Sequence, residues 1–96
     1  MKSQSLVELA QTLPGWTPRV VHDCGAQELK LINATSKPFE FDVHDHAETL
    51  ICLQGAYVIE TPHGEISIPE GASFTVPVGL RHRPANREDC VILVLS

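Results

Sequence analysis

Two short stretches hold most of the residues that could do chemistry. The first is "VHDHAETLICLQG" (43–55), where His44 and His46 stand one residue apart and Glu48 follows closely. The second is "GASFTVPVGLRHRPAN" (71–86), which delivers a single imidazole, His82, from a Pro77-x-Gly79 corner. Pro77 cannot continue a strand ladder, and Gly79 permits the tight reversal after it. Imidazole nitrogens combined with a carboxylate oxygen suit divalent transition ions such as Fe, Mn, Ni, Co or Zn, and residue type alone does not choose among them.

Reach decides whether such residues can meet. If 44–48 stayed extended, His44 and Glu48 would lie roughly 13 Å apart. Metal–ligand bonds are only about 2.0–2.2 Å long, so the chain must turn between the two side chains. A turn at Asp45-His46-Ala47 makes His44 and Glu48 cross-strand neighbours, with Cβ atoms about 5 Å apart. No glycine serves that turn, although Asp45 tolerates the left-handed conformation better than most residues.

Together the two stretches resemble the cupin superfamily. Gly71, Pro77, Gly79, His82 and Asn86 fill every fixed position of that family's second motif. His44 and His46 match the histidine pair of the first motif, and Glu48 with Gly55 matches its closing portion. Two departures stand out: Pro38 replaces the expected early glycine, and only Ala47 separates His46 from Glu48 where the family keeps three or four residues. A second register also satisfies the family spacing, with Asp42 in place of the first histidine and His46 on the turn tip. The resemblance covers residues 38–95 and implies an all-β, double-stranded β-helix (the cupin jelly-roll barrel). It further implies one divalent transition metal held by three histidines and a glutamate: His44, His46, Glu48 and His82, with Asp42 the alternative to His46. The fold hosts many chemistries, so it implies either a metal-dependent enzyme on a small polar molecule, dioxygenase- or isomerase-like, or a non-catalytic module that binds or senses a small molecule.

The elements that must position these residues are legible as short apolar runs between turn residues. Leu6, Leu9, Ala10 and Leu13 recur at helical spacing within 4–13, with Ser3 or Ser5 as N-cap and Pro14-Gly15 as the stop. Strands are expected at 19–23, 27–34, 38–44, 49–54, 56–61, 65–69, 73–77 and 91–96, a sandwich or small barrel. "TPHGE" (61–65) is a hairpin turn with Gly64 at the position needing positive φ, which leaves His63 an exposed loop histidine. His22 and Trp16 have nothing in their surroundings beyond packing or surface roles. Strand alternation places Glu40 and Asp42 on the face of His44, where they could move protons near a metal. It places Phe39, Phe41 and Val43 on the opposite face, an apolar strip needing a cover. That strip predicts a homodimer, with the N-terminal helix as the other candidate cover. Tyr57 offers a phenol if its strand faces inward, and Arg81 and Arg83 could hold an anionic group at the mouth.

Composition sets the limits. Ninety-six residues make one domain, 1–96, with 1–17 as a helical segment, and folding hides roughly 60–70% of such a chain's surface. The formal net charge is −5 with no basic stripe, so nucleic acid is not an expected partner. No apolar run approaches a membrane span, and "MKSQSLVELAQ" has no secretory core. Cys24, Cys52 and Cys90 are odd in number and free of metal-type spacing, which predicts reduced thiols in the cytoplasm.

Overall fold

The run "CVILVL" is apolar at every position, and its place in the structure explains why. It forms β8 (Cys90–Leu95), the middle strand of a five-stranded sheet whose order is β1-β2-β8-β3-β6. Its neighbours are β2 (Glu28–Ala34) and β3 (Glu48–Gln54), both antiparallel to it. The edges are β1 (Arg19–Asp23) and β6 (Ser73–Val76). A smaller sheet, ordered β5-β4-β7, packs opposite: β4 (Ala56–Thr61), β5 (Gly64–Pro69) and the short β7 (Arg83–Pro84). The computed structural model describes residues 1–96.

Alternation sends Cys90, Ile92 and Val94 between the sheets, where they join Ile32, Ala34, Leu50, Cys52, Tyr57, Ile59, Ile68 and Val76. Val91 and Leu93 point the other way, against α1 (Leu6–Ala10), with Ala10 fully buried beneath Leu6, Leu9 and Leu13. Each such side chain removed from water stabilises the fold by about 1.5–3 kcal/mol. The two-sided burial of β8 therefore ties barrel interior and helix into one unit.

The observed strands follow the expected runs within a residue or two, with two exceptions: the short β7 falls on no expected run, and one expected strand is absent. Residues 38–44 do not form a strand. They make a single antiparallel bridge, in which Asp42 N donates to His82 O at 2.8 Å and His82 N donates to Asp42 O at 2.9 Å. The next hydrogen-bonding position on that edge is Pro84, which has no N–H to donate, so the bridge does not extend into a ladder. The apolar strip expected from alternation consequently does not form. Phe39 packs edge-on against Trp16 with ring centroids 4.6 Å apart, and Phe41 lies beneath Arg81 and Arg83. The helix is also shorter than 4–13 and covers the outer face of β2 and β8. Ser5 caps it by accepting from Glu8 N, and after Ala10 the chain tightens into turns at Thr12 and Leu13.

Gly55 has φ +88°, and a Cβ there would meet Cys90 Cβ at 2.9 Å and Asp89 O at 3.3 Å. Gly25 has nearly the same φ, +83°, with nothing within 4 Å. Gly25→Ala should therefore cost only the left-handed strain, about 1–2 kcal/mol. Gly55→Ala should cost at least about 1 kcal/mol more, because packed atoms must also move. Urea denaturation of the pair checks this; equal losses would show that the close approach to Cys90 is not felt.

Candidate metal centre

Three separate segments bring polar side chains to one end of the barrel. Glu48 is the first residue of β3 and sits opposite Val76 of β6, with its side chain on the inner face shared with Leu50 and Cys52. His82 immediately precedes β7 and is buried, 6% exposed. His44 lies on the irregular segment that the Asp42–His82 bridge pins down, and its carbonyl accepts a further bond from Gly79 N at 3.1 Å. The Pro77-x-Gly79 corner thus carries His82 and also anchors His44.

The chain bends at Asp45–His46, as the reach argument requires. Glu48 Oε1 lies 3.4 Å from His82 Nε2 and 3.7 Å from His44 Nε2. All three ligand atoms fall within 4.8 Å of one another. Neither histidine–glutamate contact forms a hydrogen bond. Donor atoms sharing one ion at bonds near 2.1 Å are separated by about 3.0–3.5 Å at tetrahedral or octahedral angles, so the observed spacing suits a common centre better than mutual hydrogen bonding. His82 Nδ1 bonds Leu80 O at 2.9 Å. That bond puts the ring proton on Nδ1 and leaves the Nε2 lone pair facing Glu48, the orientation a metal ligand needs. The donor set fits a divalent ion.

His46 and Asp42 stand differently. His46 is about half exposed, and its Nδ1 pairs with Asp45 Oδ1 at 3.0 Å. This contact holds the Asp45 carboxyl below its usual range. The His46 ring nevertheless lies 5.4 Å from that of His44, centroid to centroid, and borders the same cavity. Asp42 Oδ1 accepts from Val43 N at 2.8 Å. Neither residue contributes an atom to the three-residue cluster.

The cavity above the cluster measures about 380 Å³. Tyr57 lines it and is almost fully buried, as the inward orientation requires. Burial first, then the negative charges of Cys90 and Glu48, hold its phenol well above the ordinary 10.0. Glu40 and Asp42 border the cavity too, matching the expected face. Arg81 and Arg83 do not: they flank an inward residue, so alternation turns them outward, where Arg83 pairs with Glu60 at 2.9 Å. Sequence reasoning overlooked Trp16, Lys30, Phe39 and Ser96 as cavity residues. Lys30 could have been found, since it alternates in phase with the buried Ile32. No local signal marks Trp16.

No family model matches the chain, and no curated protein matches it by sequence. Its shape is well matched among solved structures. A cupin-2 domain protein from Shewanella frigidimarina superposes with TM-score 0.86 at 24% identity, over 94% of this chain and 88% of that one. The chain has the cupin fold. A mannose-6-phosphate isomerase-like protein from Ralstonia eutropha gives TM-score 0.74 at 19% identity over 99% and 96% of the two chains. Hydroquinone 1,2-dioxygenase, solved with Fe3+, gives 0.73 at 20% over 85% of this chain and 28% of its own. No helix of the chain is long and apolar enough to cross a membrane.

The only tyrosine in the chain offers a direct test of the cavity's environment. Tyr57 should stay un-ionised in the folded protein well past pH 10, followed by the ultraviolet absorbance of phenolate. Because its folded-state value is raised, the stability it contributes is fully present below the unfolded value and declines as pH rises above it. Ionisation near pH 10 while the fold persists would show an open, solvated phenol.

Proposed function

We propose that this cupin binds one divalent transition metal through His44, Glu48 and His82, with His46 as fourth ligand, and acts as a metal-dependent enzyme on a small polar molecule. One observation carries the reading: three donor atoms from three segments converge within 4.8 Å at a cavity wall without hydrogen-bonding one another. Fe, Mn, Ni, Co and Zn all suit the donor set. A divalent ion held there supplies Lewis acidity toward a polar substrate group. Around it, the residues have distinct tasks. Leu80 O orients His82, the carboxylate of Glu48 balances charge, and the neutral Tyr57 phenol can donate a hydrogen bond to a developing negative charge. Asp42 and Glu40 border the opening as groups able to exchange protons with solvent. That structural neighbours include isomerase-like and dioxygenase cupins supports chemistry of this kind.

His82→Ala and Glu48→Ala should each lower metal occupancy at least tenfold by elemental analysis, and occupancy equal to the unmodified protein would overturn the assignment. His46→Ala and Asp42→Ala separate the two registers, since only the true fourth ligand should weaken binding by about an order of magnitude. Apoprotein loaded in turn with Fe(II), Mn, Ni, Co or Zn is then assayed for oxygen uptake and turnover of small polar metabolites. Turnover requiring both metal and Glu48 is expected; tight binding without turnover under every metal would make this a binding or sensing cupin.

The reading includes a cytoplasmic homodimer. Three free cysteines support the reducing compartment. Val43 and Val78, 51% and 60% exposed on segments joined by the Gly79–His44 bond, support a covering partner. Light scattering at micromolar concentration should give twice the chain mass, and a monomer would remove the dimer from the reading.

A further inference from the structure

The cavity divides by depth, and its rim is polar. The β3–β8 register, with Thr49 opposite Leu95, sets Glu48 opposite Ser96, and Ser96 exchanges backbone bonds with Glu28 on its other side. Glu48, Ser96 and Glu28 thus stand level across three strands. Lys30 reaches up to that row, its Nζ 3.3 Å from Ser96 Oγ and 4.0 Å from Glu28 Oε1. Glu40 and Asp42 add two further carboxylates at the border. One ammonium is outnumbered by these acidic groups, so the rim repels an anion.

Below the rim the wall is apolar. Leu50 and Val94 pair at the next inward level, and Ile32 and Ile92 pair at the one beneath it. Ile92 faces Cys52 on β3, four positions along the strand from Glu48. Trp16 stands at the Ile32 level: its N donates to Asn33 O at 3.0 Å, and its indole Nε1 donates to Thr35 O at 2.8 Å. It is the only non-glycine residue with positive φ, at 60°. A bulky side chain in that conformation is strained, and such strain persists only where surrounding contacts over-determine it. They do so here. Besides the two hydrogen bonds, the preceding Gly15 lies so close to the strand that a Cβ would meet Thr35 Oγ1 at 2.8 Å. The indole also packs edge-on against Phe39, and both rings border the cavity. With the indole N–H spent on Thr35, neither ring has a hydrogen bond to offer, and water held against them lacks the partners that would keep it.

We propose that the molecule this cavity takes is an uncharged aromatic compound of one ring. The ring lies deep, against Trp16 and Phe39 and over Ile32 and Ile92, and one hydroxyl stands at the rim toward Glu48, His44 and His82. This narrows the small polar molecule of the proposed function to one polar end, and rests on that reading only for what the hydroxyl meets. Charge and solvation set the direction. A carboxylate is repelled by the acidic groups of the rim and finds no partner at depth, where burying it is costly. An aromatic ring gains a stacking contact on an indole that is already ordered, so no side-chain freedom is lost in making it. A cavity of 380 Å³ stands near the lower end of the volumes small-molecule sites take and suits a one-ring guest.

Calorimetry on the apoprotein compares 4-methylphenol, 4-hydroxybenzoate and the saturated 4-methylcyclohexanol, with Co(II) uptake measured separately. The methylphenol should bind at least about tenfold tighter than the benzoate, whose far end is charged, and about three- to tenfold tighter than the saturated alcohol. Trp16→Leu should erase the aromatic-over-saturated preference with Co(II) uptake unchanged. Trp16 is the only tryptophan in the chain, so the unmodified protein supplies a readout that does not depend on the variant folding. Excited at the red edge of the indole band, Trp16 should change its emission on addition of 4-methylphenol and become less accessible to acrylamide. Equal binding of the three compounds, a preference for the benzoate, no binding of any, or Trp16 emission and acrylamide quenching unchanged on binding would overturn the proposal. Absent Co(II) uptake alongside intact preferences would sink the metal reading and leave this one standing.

Discussion

The site depends on one reciprocal pair of backbone hydrogen bonds. Asp42 and His82 each donate to the other's carbonyl, at 2.8 and 2.9 Å, and nothing else pairs segment 38–44 with a strand. Through that bridge the chain leaving β2 is laid across the barrel end at the level of His82. His44, two residues on, then falls beside Glu48, and the bond from Gly79 N holds it there. An irregular segment held at two points can present a side chain at an angle that a regular ladder forbids, because a strand allows only two faces. This freedom lets His44 and Glu48, four positions apart, approach to 3.7 Å.

The remaining architecture protects that arrangement. β8 is buried on both sides, so the large sheet cannot slip by one residue without moving a row of Ile and Val into the helix and a row of Val and Leu into the barrel. Fixed register is what sets Glu48, Ser96 and Glu28 level across three strands. At the other end of the barrel Asn86 serves the same purpose, donating to Ala34 O at 3.0 Å and Glu88 O at 2.9 Å from a nearly inaccessible position. The fixed positions of the second motif thus divide between presenting one imidazole and holding the chain on either side of it.

Electrostatically the cavity is asymmetric. Acidic groups and imidazoles gather at the Glu48 end, with Ser96 and the Lys30 ammonium beside that same row, and the rest of the wall is aliphatic and aromatic. Tyr57 stands where the apolar middle meets the acidic end, and that position explains why its phenol is held neutral.

The sequence by itself determined the strand periodicity, the Pro-Gly corner that delivers His82, and the need for a turn between His44 and Glu48. These are local properties: alternation, fixed φ and chain reach act over a few residues and leave marks in residue type. It also expected Glu40 and Asp42 near the histidines, where both border the cavity, and left Tyr57 conditional on an inward-facing strand, which β4 provides. Only the tertiary structure decided that 38–44 is a bridged loop, because strand formation needs a partner ladder and the edge it meets offers His82 but then Pro84, which has no N–H to donate. That choice moved Phe39 from an outer strip to the cavity wall. It likewise brought Trp16, Lys30 and Ser96 together from distant parts of the chain, a juxtaposition set by sheet order and register, which no local spacing encodes.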